Sequence, residues 1–74
     1  MTLAALCERF IDKNYYLTVV ELKDDCTRET LFENERVWQL EYSKYALYSV
    51  KYIDFSYLTV YVTPPNDGYK KADF

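Results

Sequence analysis

The first twelve residues, MTLAALCERFID, repeat apolar positions with the period of an α-helix. Five apolar residues fall on one side of that helix: Leu3, Leu6, Cys7, Phe10 and Ile11. Thr2 is a typical N-cap residue, and Asn14 is a typical residue just after a helix C-terminus. The pattern predicts an amphipathic N-terminal helix of about three turns.

Residues 15–23, YYLTVVELK, are rich in β-branched and aromatic side chains and predict a β-strand. Its two faces are both largely apolar, one with Tyr16, Thr18, Val20 and Leu22 and the other with Tyr15, Leu17, Val19 and Glu21. The polar segment DDCTR predicts a turn, and residues 29–34, ETLFEN, predict a second strand. We therefore expect an antiparallel hairpin here.

Residues 35–46, ERVWQLEYSKYA, fit two patterns. Trp38, Tyr42 and Tyr45 would share one face of a short helix. Alternation of Trp38, Leu40 and Tyr42 fits a strand equally well. The low β propensity of Glu, Gln, Lys and Ala favours the helix.

Residues 45–62, YALYSVKYIDFSYLTVYV, hold five of the nine tyrosines and neither glycine nor proline. Alternation of side chains predicts strands at residues 47–54 and 57–62, joined at residues 54–56 as a second hairpin. In the first strand Tyr48, Val50 and Tyr52 would point to one face of the sheet, and Ser49, Lys51 and Ile53 would point to the other. In the second strand three apolar residues are expected to face the helix: Leu58, Val60 and Val62. The residues beside them are expected to point away: Tyr57, Thr59 and Tyr61.

These elements predict an α+β domain in residues 1–63, in the order α-β-β-(short α)-β-β. The N-terminal amphipathic helix is expected to pack on one face of a small antiparallel sheet. Pro64 and Pro65 end the last strand, and Gly68 loosens the chain that follows. We therefore expect residues 64–74 to form a flexible tail.

A chain of 74 residues is near the smallest size that folds around a core without metal or disulfides, but half of its residues are apolar. The net charge of −3 provides no basic field to hold nucleic acid. Glu8 and Arg9 come too early for a signal peptide, and no apolar run is long enough to span a bilayer. We expect a cytoplasmic protein without a membrane partner, with Cys7 in the apolar helix face and Cys26 in a polar turn as free thiols.

The chain offers little of the chemistry that catalysis or cofactors require. It has no histidine, so no Ser or Cys has the usual base beside it, and its single glycine cannot build a phosphate-binding loop. Two distant cysteines are poor zinc ligands, and the pairs Asp24–Asp25 and Glu33–Glu35 lack the spacing of a calcium loop. We expect no enzymatic activity, no cofactor and no metal.

The surplus of tyrosines predicts an exposed contact face. We expect five aromatic residues to bind a partner: Trp38, Tyr48, Tyr52, Tyr57 and Tyr61. An exposed aromatic patch of low charge is typical of a protein–protein contact. One alternative is a homodimer, as a self-associating accessory or structural subunit, through the tyrosine-rich sheet face. A single-stranded nucleic acid could also stack on such rings, although the slightly negative field disfavours it.

Several segments, MTLAALCERFID, LFEN, EYSKYALYSVKYI and LTVYV, give the chain a resemblance to small α+β proteins of Gram-positive phages and integrative mobile elements. Anti-CRISPR inhibitors are drawn from that pool. The resemblance implies a non-catalytic protein of phage or mobile-element origin, acting in the cytoplasm of a bacterial host cell. It also implies stoichiometric inhibition of a bacterial defence nuclease, with a CRISPR effector nuclease of the Cas9 type as the protein partner.

Overall fold

A computed structural model describes residues 1–65 of the protein. Six elements follow one another along the chain: α1 Leu3–Glu8, β1 Tyr16–Leu22, β2 Arg28–Arg36, α2 Val37–Glu41, β3 Ser49–Asp54 and β4 Thr59–Thr63. The strands form one sheet in the order β2-β1-β4-β3. The predicted α+β fold and element order are confirmed, and the tail from residue 66 onward lies outside the described residues.

The sheet is mixed rather than antiparallel. Each hairpin is antiparallel as predicted, but the central strands β1 and β4 run parallel, with Val19 beside Val60 and Glu21 beside Val62. Consequently the edge strands β2 and β3 point the same way, and residues 37–48 must cross from one edge to the other. The antiparallel prediction was wrong at this one pairing, because the local pattern of a hairpin does not fix the direction of its neighbour.

Nine residues form the hydrophobic core between the sheet and the two helices: Leu3, Leu6, Cys7, Leu17, Val19, Val37, Leu40, Val60 and Val62. They come from α1, β1, α2 and β4, so both helices cover the same side of the sheet. The predicted division of β1 is confirmed, because Leu17 and Val19 enter this core while Val20 faces the other side. Cys7 is buried and Cys26 is exposed, and both are free thiols, as predicted.

Helix α1 is shorter than its apolar pattern predicts. Its N-cap is confirmed, since Thr2 Oγ1 accepts a hydrogen bond from the N–H of Ala5 at 3.1 Å. The helix nevertheless ends at Glu8, where the N–H groups of Arg9 and Phe10 bond to the carbonyls of Leu6 and Cys7 in tighter turns. Asn14 therefore does not follow the helix directly as predicted, and its N–H bonds to the side chain of Asp12 at 2.9 Å in a separate turn. Ile11, predicted on the apolar side, is consequently fully exposed.

Lys13 holds this turn against both helices. Its Nζ donates to the carbonyl oxygen of Cys7 at 2.7 Å and lies 3.2 Å from Oε1 of Glu41. A cation is favourable beside the last carbonyls of a helix, because the helix dipole is negative there. The carbonyl of Lys13 also accepts from the N–H of Trp38 at 3.1 Å, which ties the turn to the start of α2.

Residues 35–46 resolve into a strand end and a short helix. Glu35 and Arg36 extend β2, because they pair with Leu17 and Tyr16 of β1. The predicted helix is confirmed only for Val37–Glu41, and the chain then crosses to β3 in turns. Val37 and Leu40 are fully buried, which explains why this segment becomes helical at the sheet surface.

The second hairpin differs from the prediction in two ways: β3 contains a bulge, and β4 begins later in the sequence. Val50 pairs with Val62 and Tyr52 pairs with Tyr61, so Lys51 is an extra residue in a β-bulge. Residues on the two sides of the bulge therefore change face. The strand β4 begins at Thr59, later than predicted.

The later start of β4 places Tyr57 in the turn rather than on a strand, so its predicted position on the sheet was wrong. Leu58 adopts a positive φ of 49° in that turn and packs partly against the core. Val60 and Val62 are fully buried toward the helices, as predicted.

Candidate contact face

The side of the sheet away from α1 and α2 is covered by no helix within residues 1–65, and we call it the open face. Its larger side chains come from all four strands: Tyr16, Val20, Leu22, Arg28, Arg36, Tyr52 and Tyr61. The strand registers place them there. Side chains alternate between the two sides of the sheet along each strand, and residues that pair across neighbouring strands lie on the same side.

Only two of the five predicted contact residues share this face, Tyr52 and Tyr61. Trp38 lies on α2, half-exposed on the helix-covered side. Tyr48 packs against the core with its ring centre 5.0 Å from that of Tyr45. Tyr57 is exposed in the turn between β3 and β4. The structure therefore brings together one pair of the predicted set and places the other three elsewhere.

Tyr52 and Tyr61 form the aromatic centre of the open face. Their ring centres are 6.1 Å apart and their planes meet at 75°, an edge-to-face arrangement. Tyr52 is 64% exposed, whereas Tyr61 is half-buried on the central strand β4. The bulge at Lys51 creates this pair, because strict alternation from Val50 would also have sent Tyr52 toward the helices.

Arg28 reaches this pair from the far edge of the sheet. Its guanidinium carbon lies 5.4 Å from the centre of the Tyr61 ring, a cation–π distance. Arg28 belongs to β2 and Tyr61 to β4, so the side chain must cross β1 to make the contact. Val20 lies on that path and is only 9% exposed, although no helix covers it.

A second arginine–tyrosine pair occupies the other end of β2. The Nε and Nη2 of Arg36 donate to the hydroxyl oxygen of Tyr16 at 3.1 and 3.0 Å. The guanidinium carbon lies 5.4 Å from the centre of the same ring. Tyr16 and Arg36 are direct partners in the β1–β2 register, so the backbone pairing itself brings these two side chains together.

Within residues 1–65 two of the seven Lys and Arg side chains take part in ion pairs. Lys13 and Lys23 form ion pairs on other surfaces, with Glu41 in the first case and with Glu21 and Glu29 in the second. Between residues 1 and 65 neither arginine of the open face has a carboxylate within ion-pair distance. Within residues 1–65 the open face thus holds two arginines without an ion pair, together with the carboxylate of Asp54, which lines the same depression as Arg28.

One concave region lies on the open face and another on the helix-covered side. The depression on the open face has a volume of about 390 Å³ and is lined by Leu22, Arg28, Tyr52, Ile53, Asp54, Phe55 and Tyr61. An apolar pocket of about 210 Å³ opens on the helix-covered side, lined by Leu6, Phe10, Tyr15, Leu17, Ile53, Phe55, Leu58 and Val60. The pocket is wide enough for one phenyl ring, since a cavity of about 150 Å³ holds benzene.

The shifted pKa values lie away from the open face. Burial raises the pKa of Cys7 from 9.0 to about 11, and the nearby Glu41 carboxylate adds to the rise. Desolvation likewise raises the pKa of Tyr48. The hydroxyl of Thr27 lowers the pKa of Asp25 within the β1–β2 turn. Each shift has a structural cause, and the Cys7 thiol in particular is held protonated and inert near neutral pH.

Within residues 1–65 no three His, Cys, Asp or Glu side chains are grouped so that they could hold a metal ion. None of the helices in that part of the chain has the length and apolar character needed to cross a membrane. Comparison of the chain with family models, with curated proteins and with solved structures finds no match. A function for the chain therefore has to be inferred from the geometry of the open face.

The sequence pattern missed Tyr16, Arg28 and Arg36 as site residues. The alternation of β1 did place Tyr16 and Val20 on one side, so one signal was present. The arginines become visible only through the β1–β2 register, which pairs Arg28 with Leu22 and Arg36 with Tyr16. That register contains two irregularities, and no local pattern specifies them.

Proposed function

We propose that the protein is a non-catalytic binding protein that docks a protein partner on the open face. The observation that carries the proposal is the edge-to-face pair Tyr52–Tyr61 with Arg28 over it, on a side of the sheet that no helix of residues 1–65 covers. Tyr and Arg are enriched among the residues that dominate binding energy at protein interfaces.

Order in the free protein supports this use of the rings. The Tyr61 ring contacts both the Tyr52 ring and the guanidinium of Arg28, whose side chain extends across β1. Side chains that are already placed lose less conformational entropy on binding than mobile ones do. The group is therefore suited to act as the anchor of an interface, and the sheet beneath it provides a rigid base.

The partner class in this proposal comes from the resemblance to phage and mobile-element proteins. We propose a bacterial defence nuclease, of the kind found in CRISPR effector complexes, bound in the cytoplasm of the host cell. Inhibition of this kind is stoichiometric, because one bound inhibitor masks one nuclease. It needs an anchored contact surface and no catalytic residue, which agrees with the geometry of the open face.

A DNA-cleavage assay with a purified CRISPR effector nuclease tests the proposal. Wild-type protein should abolish cleavage near a one-to-one ratio. The double variant Tyr52→Ala/Tyr61→Ala should bind at least about thirtyfold more weakly and require correspondingly more protein, since anchor aromatics contribute about 2 kcal/mol or more. Tyr42→Ala is the matched control, because Tyr42 is 82% exposed on the helix-covered side. Equal inhibition by all three proteins would assign binding to another surface, and no inhibition by any would reject this partner class.

A further inference from the structure

We infer that the open face recognises an acidic segment of its protein partner, with carboxylates paired to Arg28 and Arg36. The inference rests on the proposed function and specifies the chemistry of the partner. The two guanidinium groups of the open face have no carboxylate partner within residues 1–65, and each is held against a tyrosine ring of that face.

Both guanidiniums are held where a partner could reach them. Arg36 uses two N–H donors on the Tyr16 hydroxyl, which leaves three of its five donors for another acceptor. The guanidinium of Arg28 lies against the Tyr61 ring and donates no hydrogen bond to another residue within 1–65. A guanidinium fork binds a carboxylate through two parallel hydrogen bonds, and such charge-assisted bonds are the strong ones.

The spacing of the arginines excludes a single small acid as the ligand of both. They lie at opposite ends of β2, eight residues apart in sequence. At a rise of about 3.3 Å per residue, and with bulges shortening the strand, their Cα atoms are roughly 20–25 Å apart. Val20 and Tyr61, which pair with each other, lie between the two ends, and Leu22 lies beside Arg28. This arrangement fits an extended segment or helix face with acidic residues at both ends and apolar residues in the middle.

Two other occupants fit the charges less well. A nucleic acid strand carries one phosphate about every 3.4 Å and would meet only two cations on a protein of net charge −3. In a two-fold dimer a second copy of this chain would present the same face, so its two arginines would have to pair with carboxylates of that face. Asp54 supplies only one carboxylate at the margin of the face. An acidic protein segment provides the missing charges without these penalties.

Peptide binding followed by NMR on the labelled full chain tests the inference. The probes are a twelve-residue peptide with Glu at both ends and Leu and Phe between, the same peptide with Gln in place of Glu, and a single-stranded oligothymidine of twelve nucleotides. The Glu peptide should shift signals of the open face and bind at least about tenfold more tightly than the Gln peptide, because charge-assisted bonds are lost in the latter. Added salt should weaken only the Glu peptide.

Variants then locate the contact. Arg28→Gln/Arg36→Gln should bind the Glu and Gln peptides alike, whereas Arg9→Gln, an exposed arginine after α1, should behave as wild type. Amide spectra report whether each variant is folded. Equal binding of both peptides by wild type, tighter binding of the oligothymidine, or self-association that the arginine variant abolishes would each overturn the inference. Loss of partner binding in Tyr52→Ala/Tyr61→Ala but not in the arginine variant would refute the inference and leave the proposed function standing.

Discussion

Tyr52 and Tyr61 meet edge-to-face across β3 and β4, with ring centres 6.1 Å apart, because one extra residue in β3 turns Tyr52 away from the core. Without the bulge at Lys51, the side chain of Tyr52 would lie on the helix-covered side with that of Val50. The bulge thus does two things at once. It keeps Ile53 available to pack against the core and adds a ring to the open face.

Two leucine substitutions should differ widely in their effect on the free energy of unfolding. Leu40 of α2 is fully buried, so Leu40→Ala should lower the free energy of unfolding by about 2–5 kcal/mol. Leu47 is 69% exposed, and Leu47→Ala should change it by less than about 0.5 kcal/mol. Urea denaturation followed by circular dichroism measures both. Similar effects of the two substitutions would contradict the position of α2 on the sheet.

The N-cap of α1 gives a second prediction. Thr2→Ala removes the hydroxyl that accepts from the N–H of Ala5, and should destabilise the protein by about 0.5–2 kcal/mol. Thr2→Ser keeps an equivalent oxygen and serves as the control, with most of the stability retained. The backbone bridge between Thr2 and Ser49 is present in both variants, so the comparison isolates the side chain. Equal destabilisation by alanine and serine would show that the cap contributes little.

The two thiols should differ in reactivity. Cys26 is exposed in the β1–β2 turn, whereas Cys7 is fully buried and protonated near neutral pH. At pH 8, alkylation of Cys7 by iodoacetamide should be at least about tenfold slower than that of Cys26, because the thiolate is the nucleophile and must be accessible. Peptide mass spectrometry after timed quenching gives both rates. Comparable rates in the folded protein would place Cys7 outside the core.

The pKa of Cys7 also predicts a dependence of stability on pH. The folded protein holds this proton up to about pH 11, whereas an unfolded thiol releases it near pH 9.0. Unfolding therefore becomes easier as the pH rises from about 9 to about 11, because only the unfolded chain gains the favourable ionisation there. Urea titrations across this range should show a smaller decline for Cys7→Ala than for wild type. Identical declines would mean that the Cys7 thiol does not couple to folding.

Much of the fold can be predicted from the local pattern of the sequence. The N-cap at Thr2, the inward Leu17 and Val19, and the inward Val60 and Val62 all follow from spacing within one element, and all are confirmed. Side chains alternate across a strand whatever lies beside it, so such assignments need no knowledge of the sheet.

The predictions were wrong where the structure depends on contacts between segments that are distant in sequence. The parallel contact of β1 with β4 and the bulge at Lys51 depend on how the strands pair in the sheet. The contact face has the same origin. Tyr61 could be placed from alternation, but Arg28 joins it only because the register of another strand directs its side chain across the sheet.

The central claim is that the open face, and not the helix-covered side, binds the protein partner. Calorimetric titration of a purified CRISPR effector nuclease with paired variants tests it most directly. Tyr52→Ala/Tyr61→Ala should raise the Kd at least about thirtyfold, equivalent to about 2 kcal/mol. Trp38→Ala/Tyr42→Ala, which removes exposed rings from the opposite side, should change the Kd by less than about threefold. The reverse order of the two variants, with both proteins folded, would contradict the account.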